Sequence, residues 1–286
     1  MRVFYRESMP CRVFVDSYAG ADTGGPEALV QIALAFFAIG LDVGIIPEPV
    51  IAPHFKEEYP EFVMLPHRSL ETAGPNDVYF APEQRPCGYH GGSRMYIWLL
   101  ARAQRPPPPC RGVAHNMEAH VDYRLPFVQP YITPSTMRMC ELSFHSRQQR
   151  DLILIDSDTP KDVVDAVTSV WKQRAVFVSG FARKDVLAML RRAAYVIDWQ
   201  FVGSERVPIE AVLCGAELLT SSLPPNAALY NDFSLSRTVK NISELMGALR
   251  QPPKRSRVSH MRKRFSMLNA STMAEEVRTL NVCGIP

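Results

Sequence analysis

Between Leu152 and Thr220 short apolar runs alternate with stretches of helical period, and this limits the fold more than any other feature of the chain. Leu152-Ile153-Leu154-Ile155-Asp156 is a near-continuous apolar run, the pattern of a strand covered on both faces. Lys161 to Trp171 places Val163, Val164, Val167 and Val170 on one side of a helix. Ala175 to Val178 reads as a strand, Gly180 turns the chain, and Arg183 to Ala194 is an amphipathic helix. Tyr195-Val196-Ile197-Asp198-Trp199 and Ala216 to Thr220 are two further strands. Such alternation implies parallel strands joined by crossover helices, an α/β fold.

Gly203-Ser204-Glu205-Arg206-Val207-Pro208-Ile209-Glu210-Ala211-Val212-Leu213-Cys214-Gly215 is the stretch with most chemistry in it. A polar turn, a short helix and a glycine stop follow the strand at Tyr195, so the turn lies at a strand's carboxyl end. Open α/β sheets bind ligands there. The first amides of the helix suit a phosphate. Arg206 opposes the helix dipole and therefore calls for an anion nearby. Glu210 lies one turn on, on the same face, where its carboxylate could accept sugar hydroxyls. A helix cap with a surface Arg–Glu pair is the alternative reading.

The amino-terminal half repeats the theme more loosely. Cys11 to Asp16 is a strand, and Ala19 to Pro26 is a glycine-rich loop holding Gly24 and Gly25. Glu27 to Ile39 is almost wholly apolar and predicts a deeply packed helix ended by Gly40. Leu41 to Ile46 is the next strand. No GxGxxG is present, so a dinucleotide fingerprint is absent; the paired glycine serves either close ligand approach or a tight turn. Phe62 to Leu65 and Val78 to Phe80 read as strands, Met95 to Ala101 as an apolar helix, and Gly112 to Asn116 as a strand ending in polar residues. Pro106 to Pro109 is a stiff connector or a polyproline ligand. His115 and His120 are too weakly patterned for a metal site. Asn241 to Leu249 is a helix, with Glu244 three residues after its cap.

At 286 residues the chain has room for one large or two modest domains, and its 47% hydrophobic and 21% charged content is that of a globular protein. The net charge of +3 does not by itself imply nucleic acid. Six cysteines lie scattered with no CxxC pair, which predicts free thiols in a reducing cytosol. No segment reads as a signal peptide, and Ala28 to Leu41 falls short of the roughly 20 apolar residues that span a bilayer. Arg250 to Arg264 carries seven cations and no acid. This basic stretch suits peripheral contact with an anionic membrane, or a solvated face.

Two successive α/β modules, joined near residues 131–150, resemble the two-domain glycosyltransferase fold GT-B. Gly24-Gly25-Pro26-Glu27 before its apolar helix is similar to the glycine loop of the group 1 (family 4-like) transferases. Gly180, Asp185 to Ala194 and Ser204 to Gly215 resemble their donor-binding half. The resemblance implies two Rossmann-like domains with an interdomain cleft, an acceptor-side domain at 1–140 and a donor domain at 141–286. It implies a cytoplasmic, metal-independent enzyme with no cofactor beyond a nucleotide-sugar donor, acting on a cell-surface or secreted-glycan precursor or a lipid-linked acceptor. Gly24, Gly25, Lys161, Gly203, Ser204, Arg206 and Glu210 would hold the donor, Glu210 through its ribose. His115 and Glu205 are the catalytic candidates. Two positions depart from the family: Val202 replaces a usual glutamate, and Asp156 replaces a usual diphosphate-binding arginine, whose charge Arg206 or Arg183 would supply. Glu210→Gln is then expected to weaken donor binding and leave the melting temperature nearly unchanged. A non-catalytic binding protein and a nucleotide-sugar epimerase are the alternatives.

Overall fold

A computed structural model describes residues 11–16, 24–46, 51–83, 94–99, 110–114, 123–145, 150–199, 206–221, 236–254 and 269–283. The chain divides into two units: Met1–Ala21, Gly25–Pro130 and Ala270–Pro286 form one, and Asp22–Gly24 with Tyr131–Asn269 form the other. Both have the α/β construction that the alternation of apolar runs predicts.

In the first unit β1 (Arg12–Val15), β2 (Asp42–Ile45), β3 (Val78–Pro82), β4 (Arg94–Leu99) and β5 (Arg111–Ala114) form a parallel sheet of order β2-β1-β3-β4-β5. Helix α1 (Gly24–Ala38) follows β1 and buries Leu29, Val30, Ile32 and Phe36. Phe36 meets Phe80 edge-on at 5.4 Å, and Phe80 meets Trp98 at 5.9 Å, so aromatic contacts lock helix to sheet. Gly40 ends α1 with φ 85°, a conformation only glycine adopts without strain.

Two expected elements change type. Phe62 to Leu65 is not a strand; α2 (Pro53–Glu58) and α3 (Pro60–Val63) occupy this stretch, each opened by a proline in its first turn. Met95 to Leu99 belongs to β4 and is not a helix. Paired on both sides, by β3 and β5, and buried throughout, it carries the unbroken apolar run that strands and buried helices share.

Arg12 ties β1 to the turn before β3. Its guanidinium donates to Asp77 at 2.7 Å, and the Arg12 and Gly74 backbone N–H groups donate to the same carboxylate. Burial alone would raise the Asp77 pKa, but the bonds from Arg12 and Gly74 outweigh it and hold the carboxyl below its ordinary value. With the folded pKa depressed, this stabilisation is complete above the unfolded value, about 4, and is lost as pH falls through the folded one. Asp77→Asn should therefore flatten the acid limb of the stability–pH curve, measured by urea unfolding below about pH 5. An unchanged acid limb contradicts this assignment.

In the second unit α4 (Pro134–His145), β6 (Leu152–Ile155), α5 (Lys161–Trp171), β7 (Ala175–Phe177), α6 (Arg183–Leu190), β8 (Ala193–Asp198), α7 (Arg206–Leu213), β9 (Glu217–Ser221), β10 (Ser236–Val239) and α8 (Ile242–Leu249) follow in order. The sheet is parallel, in the order β10-β9-β8-β6-β7. Alternation along the strands divides the core. Leu152, Leu154, Val196 and Leu218 pack with residues of α4, α6 and α7, whereas Ile153, Ile155, Ile197 and Leu219 pack with residues of α5 and α8. Asn241 caps α8 by accepting from the Glu244 N–H at 2.9 Å, while the Glu244 carboxylate accepts from the Lys240 N–H.

The boundary expected at 140/141 falls inside α4, and the last helix, α9 (Ala270–Thr279), belongs to the first unit. A return of the chain end to its first domain leaves no trace in local periodicity. The cysteine expectation also needs correction. Cys11 and Cys283 form a disulfide across 272 residues, and Cys110 is disulfide-bonded too. Spacing along the chain says nothing of proximity in space when the fold brings the two ends together. Cys140 and Cys214 are buried and not disulfide-bonded, with their sulfurs 3.1 Å apart; Cys87 lies outside the described residues. Among the described residues no helix is long and apolar enough to cross a membrane.

Candidate functional site

Glu210 is the centre of a buried charge cluster in the second unit. It lies on α7, whose apolar face packs Ala211, Val212 and Leu213 into the core, and Gly215 with φ 84° ends the turn that follows. Its side chain is 0% exposed. Arg206, one turn earlier, donates from Nη2 to Glu210 Oε1 at 3.0 Å with an exposure of 11%. Arg183, the first residue of α6, donates to the same oxygen and is 9% exposed. Two guanidiniums thus share one buried carboxylate oxygen. Both cations start helices, where a positive charge opposes the dipole, so an anion is needed to hold them there. Glu210 supplies a negative charge to both.

The burial of the Arg–Glu pair bears on one of the two readings of its spacing. The pair is not a surface pair: it is buried and shared with Arg183. It also corrects the expectation that Glu210→Gln leaves the fold untouched, because a carboxylate holding two buried guanidiniums is part of what keeps α6 and α7 in place. Glu210 Oε2 is buried and accepts no hydrogen bond among the described residues.

The other predicted donor residues lie as follows. Lys161 opens α5 with its side chain 87% exposed, and its ammonium contacts Asp165 at 2.6 Å. Such an exposed i,i+4 pair contributes little to stability. Asp156, where the resemblance implies an arginine, is buried directly after β6, and its carboxylate groups with those of Asp158 and Asp198. Gly24 and Gly25 are the first residues of α1, not part of a loop before it. A Cβ built at Gly25 would meet nothing within 4 Å, so packing does not require glycine there. His115, Gly203, Ser204 and Glu205 lie outside the described residues, as do Val202, the proline run from Pro106 and the basic stretch beyond Lys254.

Two polar groups escaped sequence reasoning. In the first unit Glu27, in the first turn of α1, is 1% exposed and accepts from the Tyr59 hydroxyl, which in turn accepts from Gln31 at 2.8 Å. No local pattern links residues 32 positions apart. In the second unit Asp156 and Asp198 each end an apolar strand run, and that shared position was the available signal.

No protein-family model matches the chain, and no curated protein matches its sequence. Solved structures do match it over almost its whole length. AviGT4, a glycosyltransferase involved in avilamycin A biosynthesis, aligns with a TM-score of 0.58 at 14% identity, covering 96% of this chain and 99% of its own. Sucrose-phosphate synthase (tll1590) from Thermosynechococcus elongatus aligns at 0.59 and 12%, covering 96% and 98%. Anabaena Alr3699/HepE in complex with UDP aligns at 0.56 and 11%, covering 94% and 99%. Together with the two parallel five-stranded sheets and their flanking helices, these matches identify the fold as the two-domain α/β GT-B type.

Proposed function

We propose that this chain of GT-B fold is a nucleotide-sugar-dependent glycosyltransferase that moves a sugar to a glycan or lipid-linked acceptor. The observation that carries the reading is the pairing of Arg183 and Arg206 on buried Glu210, near the carboxyl end of the second sheet. A nucleotide-sugar presents a diphosphate, and the diphosphate that leaves gains negative charge in the transition state. Guanidiniums already fixed in place stabilise that charge without reorganising, which is how preorganised donors accelerate such a step. Glu210 orients both through Oε1, and Oε2 is the acceptor it has left for a ribose hydroxyl. UDP, present in the Alr3699/HepE structure, is the first nucleotide to try. His115 and Glu205 keep their catalytic assignment on sequence position alone. The Cys11–Cys283 disulfide favours an oxidising surrounding over the cytosol expected from cysteine spacing.

A thermal-shift panel of UDP-, GDP- and ADP-sugars tests this reading. One nucleotide-sugar should raise the melting temperature, and Arg206→Ala should weaken its binding tenfold or more, since a charge-assisted hydrogen bond is worth about 1.5–3 kcal/mol. A panel with no response, or an Arg206→Ala protein of undiminished affinity, overturns it. The acidic Asp156, where the family carries a cation, favours a second reading as a non-catalytic binding protein. That reading expects nucleotide binding without sugar transfer.

A further inference from the structure

Cys140 and Cys214 belong to the same unit, one on α4 and the other directly after α7. Both are 1% exposed, in the apolar core that they share with Ala211, Leu213 and Ala216. The Cys214 thiol donates toward the Cys140 sulfur at 3.1 Å, between positions 74 residues apart. The Cys140 thiol in turn donates toward the Glu210 carbonyl at 3.8 Å. An S–S bond measures about 2.05 Å, so the two sulfurs stand about 1 Å from bonding distance. Turning the two side chains about their Cα–Cβ bonds is enough to cover such a gap. Oxidation removes both S–H donors yet leaves no buried acceptor bare, because the Cys214 N–H already donates to the Glu210 carbonyl at 2.8 Å. The chain also carries the Cys11–Cys283 disulfide, which marks surroundings that oxidise cysteine pairs.

We propose that Cys140 and Cys214 are a disulfide site, closed by thiol–disulfide exchange as the chain folds, that ties α4 to the end of α7. The oxidant is an external disulfide, such as glutathione disulfide or the disulfide of a folding catalyst. One cysteine loses its proton and attacks a sulfur of the oxidant as thiolate; that S–S bond breaks, and the sulfur that leaves takes up a proton. The second cysteine, deprotonated in its turn, attacks the protein sulfur of the mixed disulfide, and the remaining oxidant sulfur leaves as a thiol. Two protein thiols have then given up two electrons, and the oxidant disulfide has become two thiols. Apolar burial raises a thiol's pKa and keeps reagents away. Exchange therefore precedes the packing of α4 against α7, and the finished bond is shielded from reductants by the same core. The bond fixes α7 one turn beyond Glu210, whose side chain holds Arg183 and Arg206. It forms whether or not the chain binds a nucleotide-sugar.

Peptide mapping of the full chain tests the site. The chain is produced in the bacterial periplasm, an oxidising compartment, and unfolded in urea with N-ethylmaleimide to block every remaining thiol. It is then digested without reduction and analysed by mass spectrometry. We expect a pair of peptides joined through Cys140 and Cys214, two hydrogens lighter than the sum of its parts and separated by dithiothreitol. The Cys11–Cys283 link in the same digest shows that the chain has folded and that the oxidant was strong enough. Cys140→Ser should lose the new link, keep the Cys11–Cys283 link and leave Cys214 to the maleimide. A digest in which Cys11 is joined to Cys283 while Cys140 and Cys214 both carry maleimide overturns the proposal. So does either cysteine joined to a different partner.

Discussion

Glu210→Gln is expected to lower the melting temperature of the second unit by about 10–20 °C, since breaking a buried ion pair costs about 3–5 kcal/mol and each kcal/mol moves a domain of this size by about 3–4 °C. The reason lies in the burial of all three partners: Glu210 is 0% exposed, Arg183 9% and Arg206 11%. With the carboxylate gone, two guanidiniums face each other in a place that water barely reaches, and they repel. Glutamine keeps the shape and an acceptor oxygen but not the charge, so the loss reports electrostatics and not a cavity. Combining Glu210→Gln with Arg183→Met should recover part of the loss, because one of the two buried charges that Glu210 held is then replaced by an apolar chain. Calorimetry of the three proteins is the check. A single variant melting within about 2 °C of the wild type, well under 1 kcal/mol at this size, would mean that Glu210 does not hold the two arginines together.

Replacing both Cys11 and Cys283 by serine should destabilise the first unit by about 2–5 kcal/mol, the usual range for loss of a native disulfide. The bond joins the residue before β1, an inner strand of the sheet, to the residues just after α9. It therefore restricts the unfolded chain across a separation of 272 residues, where loop closure is most costly. Without the bond, α9 keeps its buried Met273, Ala274 and Val277 and the 2.8 Å bond from the Gln129 N–H to Glu276. Those contacts must then hold a helix that follows the whole second unit in sequence. Urea unfolding of the serine variant against the oxidised wild type measures the difference. Equal midpoints would show that the disulfide contributes nothing to the unit's stability.

Much of the second unit was legible in its residues. Leu152 to Asp156, Lys161 to Trp171 and Asn241 to Leu249 took the forms their periodicity predicts, because such elements are specified by neighbours within a few positions. The four-residue spacing of Arg206 and Glu210 likewise announced a pair on one helix face. Where the pattern was ambiguous, tertiary structure decided. Met95 to Leu99 is apolar at every position, and only pairing between β3 and β5 makes it a strand. Phe62 to Leu65 has too few residues to show a period, and Pro60 at the head of α3 settled it as helix.

What the sequence determined by itself, then, is the α/β class, most element positions and the presence of a charged motif on α7. Whether that motif is surface or core depended on Arg183, which comes to Glu210 from 27 residues away at the start of another helix. Asp156 and Asp198 come together only once β6 and β8 pair in register. The Cys11–Cys283 bond and the return of α9 to the first unit likewise join residues from opposite ends of the chain. Periodicity and turn chemistry act over a handful of residues and can be read in order along the chain. Burial, charge pairing and covalent closure depend on which distant segments pack together, and that is decided by the folded core as a whole.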